Sequence, residues 1–220
     1  MVKAKKVGVL ISGRGSNLGS LIAACSAPDY PANIAVIISN RPGVAGLAKA
    51  EEAGIPAITI DHKHFDSRED FDAEIDRVLR EFDVELVCLA GFMRLLAQDF
   101  VEAWRDRLIN IHPSLLPSYP GVNIHDRVIG DGIRISGCTV HFVRTGMDSG
   151  PIIAQVAVPV LSSDTAQTLA DRVLRAEHRL YPAALRMVAD GTVRVSGERI
   201  MFGADEQESA PLFSPPLDQG

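Results

Sequence analysis

The sequence has 220 residues, of which 46% are hydrophobic, and a formal net charge of −6. This length and composition predict one α/β domain with a sizeable core, or two small domains. The acidic balance, without long runs of Lys or Arg, argues against a nucleic-acid partner. Cys25, Cys88 and Cys138 form no Cys-x-x-Cys pair, and no His-Glu-x-x-His spacing occurs. We therefore expect buried, reduced thiols and no metal.

The amino-terminal region predicts neither a signal peptide nor a membrane segment. Met1–Lys6 is basic, but the apolar run Val7–Ile11 is too short for a signal sequence. The longest apolar stretches, Ala35–Ile38 and Leu86–Met93, are far below membrane-spanning length. We expect a cytoplasmic protein with no membrane partner.

The first half of the chain alternates between short apolar runs and helical patterns. In chain order it predicts a strand at Val7–Ile11, a helix at Ser16–Ala27, a strand at Ile34–Ile38, a helix at Val44–Ala53, a strand at Ala57–Ile60, a helix at Ser67–Phe82 and a strand at Val84–Leu89. Ser67 is the expected N-cap of the third helix. Strands that are apolar on both faces and alternate with helices indicate an α/β fold, with a parallel sheet covered on both sides.

The second half has a different pattern. It predicts a strand at Leu108–Ile111, a Pro-rich loop at His112–Gly121, strands at Gly137–Val143 and Pro151–Val160, a long helix at Thr165–Asp190 interrupted by Pro182, and a terminal hairpin of Val193–Val195 and Arg199–Met201. We expect a single domain over residues 1–203. The acidic, Pro-rich residues 204–220 are expected to form a disordered tail.

A Gly-rich segment, Ser12-Gly13-Arg14-Gly15-Ser16-Asn17, lies between the first strand and the first helix. Its glycines allow a sharp turn, and free amides at the helix start favour an anion. The alternative is a tight turn with Ser16 or Asn17 as N-cap. The position favours a ligand, because ligands gather at the carboxyl ends of parallel strands.

Asn110 and His112 are two residues apart at the end of a predicted strand, so their side chains share one face. An amide and an imidazole side by side can stabilise an oxyanion, and the imidazole can also carry a proton. The alternative is a turn-capping Asn and a structural His.

Two carboxylates could join this site. Asp148 belongs to an ordinary turn sequence, and it gains interest only if its loop reaches His112, whose pKa it would raise. Glu177 falls within the apolar stripe of the long helix, where a charge needs a partner. That partner is either a structural Arg or a ligand's amine or hydroxyl group.

Several segments together resemble the phosphoribosylglycinamide formyltransferase family of the folate-dependent formyltransferase superfamily. They are Ile11-Ser12-Gly13-x-Gly15-Ser16-Asn17-Leu18, Leu89-Ala90-Gly91-Phe92-Met93-Arg94, Asn110-Ile111-His112-Pro113-Ser114-Leu115-Leu116-Pro117, His141-Phe142-Val143 and Asp148-x-Gly150-Pro151. The likeness runs from about Val7 to about Ile200.

This resemblance implies a Rossmann-like, mostly parallel sheet, to which the C-terminal half adds antiparallel strands and a long helix. It implies formyl transfer from 10-formyltetrahydrofolate, a co-substrate, to the amine of 5-phosphoribosylglycinamide in purine biosynthesis. The partners would be small molecules, with a homodimer possible. No metal and no covalent enzyme intermediate are required.

The resemblance also implies roles for individual residues. The implied catalytic trio is Asn110, His112 and Asp148. The implied substrate contacts are Gly15, Ser16, Asn17 and Glu177. The implied folate contacts are Arg68, Met93, Arg94, Leu95, Leu96, Asn110, Arg144, Thr145, Gly146, Met147 and Asp148. The sequence departs from the family pattern at Ser118, where a basic residue is expected, and at Asn123, where His is common.

Three alternative functions are weighed against this one. Formyltetrahydrofolate deformylase has a similar catalytic domain but normally carries an extra N-terminal domain, for which a first strand at Val7 is expected to leave no room. Methionyl-tRNA formyltransferase needs a C-terminal domain and a basic surface. A non-catalytic sensor with the same sheet is compatible with the fold, but it has no need of an imidazole beside an amide donor.

Overall fold

The structure is a computed structural model that describes residues 4–203 and 210–216. Residues 204–209 and 217–220, most of the tail predicted to be disordered, lie outside the described residues. The elements are β1 (Lys5–Ile11), α1 (Ser16–Cys25), β2 (Ala32–Ser39), α2 (Ala45–Glu52), β3 (Ala57–Thr59), a 3₁₀ turn (His62–His64), α3 (Arg68–Glu81), β4 (Leu86–Leu89), α4 (Gln98–Ala103), β5 (Leu108–His112), α5 (Ile124–Gly130), β6 (Ile135–Phe142), β7 (Ile152–Pro159), α6 (Ala166–Ala189), β8 (Val193–Ser196) and β9 (Arg199–Phe202).

A seven-stranded sheet in the order β3-β2-β1-β4-β5-β6-β7 organises the chain. The first five strands of this order are parallel, and β6 and β7 run antiparallel to their neighbours. Strands β8 and β9 form a separate hairpin. The predicted α/β fold, with antiparallel strands added by the second half, is confirmed.

Two hydrophobic clusters cover the two faces of the sheet. Alternate residues of β1 separate them, because Val9 and Ile11 point to one cluster and Leu10 points to the other. Helices α1 and α6 contribute to the first cluster, and α3 and α4 contribute to the second. Burial on both faces explains why the central strands read as continuous apolar runs.

Helix α6 covers almost the whole predicted range but is continuous. Pro182 lies inside it without ending it, so the expected interruption is wrong. The buried side chains of Ala184, Leu185 and Ala189 continue the stripe past the proline, and their packing offsets the hydrogen bond that Pro182 cannot donate. Thr165 caps the helix through a capping box.

Other differences concern short elements. The sequence analysis missed α4 and α5, which have six and seven residues and are therefore too short to show a helical period. The predicted N-cap Ser67 is confirmed, since its hydroxyl accepts the Asp70 N–H. Among the described residues, no helix is long and apolar enough to cross a membrane.

Candidate active site

The Gly-rich loop (Ser12–Asn17) connects β1 to α1 and leaves backbone amides free. Gly15 is the N-cap residue at φ 63°, in the left-handed region, and no side chain caps the helix. The alternative in which Ser16 or Asn17 is the N-cap is therefore wrong, because both lie in the first turn. The uncapped N–H groups at this end of α1 form a site suited to an anion.

Helix α2 packs against the Gly-rich loop and donates hydrogen bonds to it. The Gly46 N–H donates to the Gly13 carbonyl at 3.1 Å, and the Lys49 ammonium donates to the Gly15 carbonyl at 2.9 Å. A Cβ on Gly46 would lie 2.5 Å from Ile11 Cδ1 and 3.0 Å from Gly13 O. The close contact of the two segments thus requires glycine, and it engages the loop's carbonyl groups on the α2 side.

A buried hydrogen bond joins the Gly-rich loop to α6. The Asn17 Nδ2 atom donates to Glu177 Oε2 at 2.7 Å, and Glu177 is 6% exposed. The Oδ1 atom of Asn17 is buried and has no partner among the described residues. Burial raises the pKa of Glu177, although Asn17 and His112 act to lower it. The predicted position of Glu177 on the buried stripe is confirmed, and its partner is an amide rather than an Arg.

Asn110, in the middle of β5, is oriented by His141 of β6. The two residues are directly opposite in the antiparallel pair, and Asn110 Nδ2 lies 3.3 Å from His141 Nε2. His141 Nδ1 lies 3.0 Å from the Phe142 carbonyl, which can only accept a hydrogen bond, so Nδ1 carries the proton. Burial lowers the pKa of His141. The neutral ring therefore accepts from the Asn110 amide through Nε2.

His112 and Asp148 form a buried ion pair. His112 is 5% exposed, and its Nδ1 atom lies 3.4 Å from Asp148 Oδ1. The Nε2 atom of His112 donates to the Tyr119 carbonyl at 3.0 Å. Asp148 also accepts the Gly121 N–H at 2.6 Å. The condition that the Asp148 loop reaches His112 is therefore met.

The ion pair shifts both pKa values toward the charged forms. Burial alone lowers the pKa of His112, but the Asp148 carboxylate and the Tyr119 carbonyl outweigh it, and the net pKa is raised. Burial raises the pKa of Asp148, but His112 and the Gly121 amide outweigh it, and the net pKa is lowered. Glu177 adds a further charge that favours protonated His112. These interactions stabilise the protonated form of His112 relative to that of a free imidazole.

A buried polar network fixes the β5–α5 loop (residues 113–123), which follows His112. The Thr139 hydroxyl accepts the Leu116 N–H at 3.0 Å and donates to the Ser114 carbonyl at 2.7 Å. Gln155 donates to the Leu116 carbonyl at 2.9 Å. The network ties the loop to β6 and β7, and it thereby fixes the backbone that contacts His112.

The predicted folate-contacting residues other than Asn110, which belongs to β5, lie in three places: Arg68 begins α3, Met93 to Leu96 belong to the β4–α4 loop (residues 90–97), and Arg144 to Asp148 belong to the β6–β7 loop (residues 143–151). Three of their apolar side chains are unusually exposed, Met93 at 69%, Leu95 at 58% and Met147 at 59%. Thr145 and Gly146 are also exposed.

Arg144 does not present a free side chain. Its guanidinium pairs with Asp106 at 2.6 Å and with Glu198 at 3.2 Å. Its backbone N–H donates to the Ser149 carbonyl. The side chain thus braces the β6–β7 loop against neighbouring segments, which leaves its predicted folate contact without support from this geometry.

The two residues that depart from the family pattern, Ser118 and Asn123, both lie in the β5–α5 loop. The Ser118 carbonyl accepts the Ser114 hydroxyl at 2.6 Å. Asn123 is the N-cap of α5 at φ 54°, a left-handed conformation that Asn tolerates better than most residues.

The thiols and the carboxylates show no metal-binding arrangement in the part of the chain that the structure describes. No group of three or more His, Cys, Asp and Glu side chains there could hold a metal ion. The three cysteines are free thiols. Burial raises the pKa of Cys138 to about 12 and that of Cys88 further. Neither thiol is suited to act as a nucleophile.

Two kinds of site residue are not predictable from local sequence patterns. His141 belongs to a motif of the family, but only its pairing opposite Asn110 reveals its role. Thr139, Gln155 and Lys49 gave no signal, because each acts on a segment distant in the chain. A register prediction for β5 and β6 could have found His141.

Comparison with known proteins identifies the family. Residues 5–185 match the family model described as formyl transferase. The chain belongs to the formyl transferase family. The Asn110, His112 and Asp148 side chains therefore lie in a formyl transferase domain, at the strand ends described above.

Individual members of the formyl transferase family are also similar to the chain. Phosphoribosylglycinamide formyltransferase of Escherichia coli (strain K12) is 41% identical over 187 residues, covering 85% of this chain and 88% of that protein. The crystal structure of glycinamide ribonucleotide transformylase 1 from Symbiobacterium toebii has a TM-score of 0.88 and 44% identity, covering 90% of this chain and 94% of that one.

A multifunctional animal protein also contains a similar region. The trifunctional purine biosynthetic protein adenosine-3 of Gallus gallus is 56% identical over 190 residues, which cover 86% of this chain but 19% of that protein. The chain thus spans about a fifth of the length of this relative.

Proposed function

We propose that the chain is a phosphoribosylglycinamide formyltransferase, which transfers a formyl group from 10-formyltetrahydrofolate to the amine of 5-phosphoribosylglycinamide in de novo purine biosynthesis. The observation that carries this proposal is the convergence of the Asn110 amide and the His112–Asp148 pair at the strand ends. The similarity to the bacterial enzyme, which covers most of both chains, supports the same activity.

The phosphorylated substrate would bind at the Gly-rich loop. The free amides of Ser16 and Asn17 at the start of α1 suit its phosphate. The Glu177 carboxylate, held by Asn17, would accept a hydrogen bond from the substrate's amine. Because Glu177 also interacts with His112 through its charge, this arrangement would bring the amine close to the imidazole.

The folate co-substrate would bind across the β4–α4 and β6–β7 loops. Their exposed side chains, Met93, Leu95 and Met147, offer apolar surface for its aromatic rings. Arg68 and Arg94 would face the carboxylates of its glutamate portion. The residues present therefore fit this co-substrate.

The reaction would proceed by direct attack. The substrate amine nitrogen forms a bond to the formyl carbon, and the formyl oxygen takes the negative charge of a tetrahedral intermediate. The Asn110 amide and protonated His112 stabilise this oxyanion. The bond from carbon to the folate N10 then breaks, and the proton lost by the amine moves to N10 through His112 and water.

Both ring nitrogens of His112 have protein partners in this structure, Asp148 on Nδ1 and Tyr119 on Nε2. We infer that the formyl oxygen replaces the Tyr119 carbonyl as the partner of Nε2. Asp148 keeps its contact with Nδ1, so the ring stays protonated and oriented while Nε2 changes partner.

An absorbance assay of tetrahydrofolate formation, with and without 5-phosphoribosylglycinamide, tests this function. Folate release that depends on the amine is the expected result. Equal release without the amine would indicate the deformylase reaction instead, and binding without release would indicate a sensor. Adding a chelator should leave the rate unchanged, since no metal is expected.

Three further predictions accompany this function. A cytoplasmic location and a homodimer are both expected from family likeness, and the second is open to sedimentation analysis. A single domain over residues 1–203 is also proposed. It is supported by the placement of every element of the seven-stranded sheet within that range.

A further inference from the structure

Asp72 is a buried carboxylate in α3 that the reaction proposed above does not use. The residue is 2% exposed and lies among the apolar residues of the helix's inner face. Its Oδ2 atom accepts the Ala97 N–H at 2.5 Å, while its Oδ1 atom is buried without a partner among the described residues. Burying a half-satisfied carboxylate is costly, so its presence calls for an explanation.

Ala97 ends the β4–α4 loop, and Asp72 is one of two anchors for that loop. At the other anchor, the Ser12 hydroxyl accepts the Met93 N–H at 2.8 Å. Both Ser12 and Asp72 are buried. The four residues between these anchored amides, from Met93 to Leu96, therefore have a backbone held at both ends by buried side chains.

The charge of Asp72 also acts on the cationic residues of this region. Arg94 lies over the Phe71 ring, with its guanidinium carbon 5.2 Å from the ring centroid and its Nε atom buried without a described partner. Asp72 interacts electrostatically with Arg94, with Arg68 and, repulsively, with Glu69. Asp72 thus acts through its charge on Arg68 and Arg94, the two arginines proposed to bind folate.

Burial raises the pKa of Asp72 to about 6, although the Ala97 N–H, Arg68 and Arg94 act to lower it. The carboxylate is therefore ionised at pH 7.5 and takes up a proton as the pH falls through about 6. Protonation would remove the charge that faces the arginines and would weaken the hydrogen bond to Ala97.

We propose that Asp72 is a positioning residue for the folate co-substrate: its ionised carboxylate fixes the end of the β4–α4 loop through Ala97 and attracts Arg68 and Arg94 through its charge. Loss of its charge weakens folate binding and leaves the chemistry at His112 unchanged. The inference rests on the proposed function, because the β4–α4 loop contacts folate only if the chain binds one.

The first test is Asp72→Asn, which keeps an acceptor for Ala97 but removes the charge. At pH 7.5, calorimetry should show about tenfold weaker binding of tetrahydrofolate, the scale of one hydrogen bond to a charged group. The KM for the formyl donor should rise in parallel, while kcat and the KM for the amine substrate stay unchanged. Glu69→Gln, an exposed charge removal in the same turn, is the matched control and should bind tetrahydrofolate normally.

The pH dependence of tetrahydrofolate binding is a second test. In the wild-type protein, tetrahydrofolate affinity should fall as the pH falls through about 6, the pKa to which burial raises Asp72. Asp72→Asn should bind with a weaker but nearly constant affinity over the same range. If Asp72 had only a structural role, the wild type and Asp72→Asn would not differ in this pH dependence.

A second variant, Ala97→Pro, removes the donor instead of the acceptor. Ala97 has φ −66°, which proline adopts without strain. Without this hydrogen bond to its charged form, Asp72 should have a higher pKa. The pH at which tetrahydrofolate affinity falls should therefore move upward, and this variant decides the matter if Asp72→Asn does not fold.

Two results would overturn the inference. One is that Asp72→Asn and Ala97→Pro both bind tetrahydrofolate as tightly as the wild type, with the same pH dependence. The other is an equal loss of affinity for both substrates together with a lower thermal midpoint, which would make Asp72 structural. A wild-type protein that binds no tetrahydrofolate at all would instead refute the proposed function, so the two failures are distinguishable.

Discussion

The charge of His112 depends on a balance between burial and its neighbours. Its raised pKa means that the stability contributed by the pair with Asp148 is fully present below the ordinary His value and is lost as the pH rises through the raised pKa. The lowered pKa of Asp148 means that the same contribution is present above the ordinary Asp value and is lost as the pH falls through the lowered pKa. The pair is therefore most stabilising at pH values between the ordinary pKa of Asp and the ordinary pKa of His.

Asp148→Asn should lower the pKa of His112, because it removes the nearest charge that favours the imidazolium and leaves burial to oppose it. An NMR titration of the His112 ring should show a lower midpoint than in the wild type. Asp126→Asn, which removes a carboxylate that acts on His125 instead, should leave that midpoint in place. An unmoved midpoint in Asp148→Asn would contradict the assigned ion pair.

Removing either oxyanion donor should reduce turnover. His112→Ala and Asn110→Ala should each lower kcat by about a hundredfold or more, the usual scale for such a donor. Exposed residues of the same types provide controls, His64→Ala and Asn33→Ala, and both should retain wild-type kcat. Normal turnover by His112→Ala would refute the proposed mechanism.

At the scale of elements, the anion site depends on two helices that meet at the Gly-rich loop. Helix α1 supplies the free amides, and α2 engages the loop's carbonyl groups through Gly46 and Lys49. The site therefore needs the exact spacing of α2 from the loop as well as the glycines of the loop itself.

Gly46→Ala should weaken binding of the phosphorylated substrate, because its Cβ would meet Ile11 Cδ1 at 2.5 Å and Gly13 O at 3.0 Å. Steady-state kinetics should show a several-fold higher KM for that substrate, with a smaller change in the KM for folate. Gly130→Ala, whose Cβ would meet nothing within 4 Å, should behave as the wild type. A Gly46→Ala protein with an unchanged KM would show that the loop tolerates displacement.

Helix α6 is attached to the centre of the sheet by Tyr181. The buried hydroxyl lies 3.0 Å from the Leu89 carbonyl and 3.2 Å from the Ile109 carbonyl, so it contacts two neighbouring strands, β4 and β5. Tyr181→Phe should lower the free energy of unfolding by about 1–2 kcal/mol, because a buried hydrogen bond is lost. Chemical denaturation measures this, and an unchanged unfolding free energy would contradict the role assigned to the hydroxyl.

At the scale of the molecule, the proposed domain boundary can be tested by truncation after Gly203. The sheet, its helices and both clusters lie before this point, and the described residues beyond it include the exposed Leu212 and Phe213. The shortened chain should keep the thermal midpoint and kcat/KM of the full chain. A large loss of either would show that the tail contributes to the fold or to the site.

The sequence by itself determined the elements whose signals are local. The apolar runs of β1, β2 and β4 are buried on both faces, and Ser67 caps its helix through a neighbouring amide. Glu177 stood out because a carboxylate interrupts a helical stripe. Such patterns depend on residues a few positions apart, which a single sequence displays directly.

Only the tertiary structure decided which distant groups meet. Asp148 reaches His112 because the β6–β7 loop comes to the end of β5, and His141 meets Asn110 because β6 pairs with β5 in one particular register. Asp72 receives the Ala97 amide although 25 positions separate them. Hydrogen bonds and ion pairs act over a few ångströms in space. Their partners are therefore fixed by packing and strand register, and no local pattern in the chain encodes them.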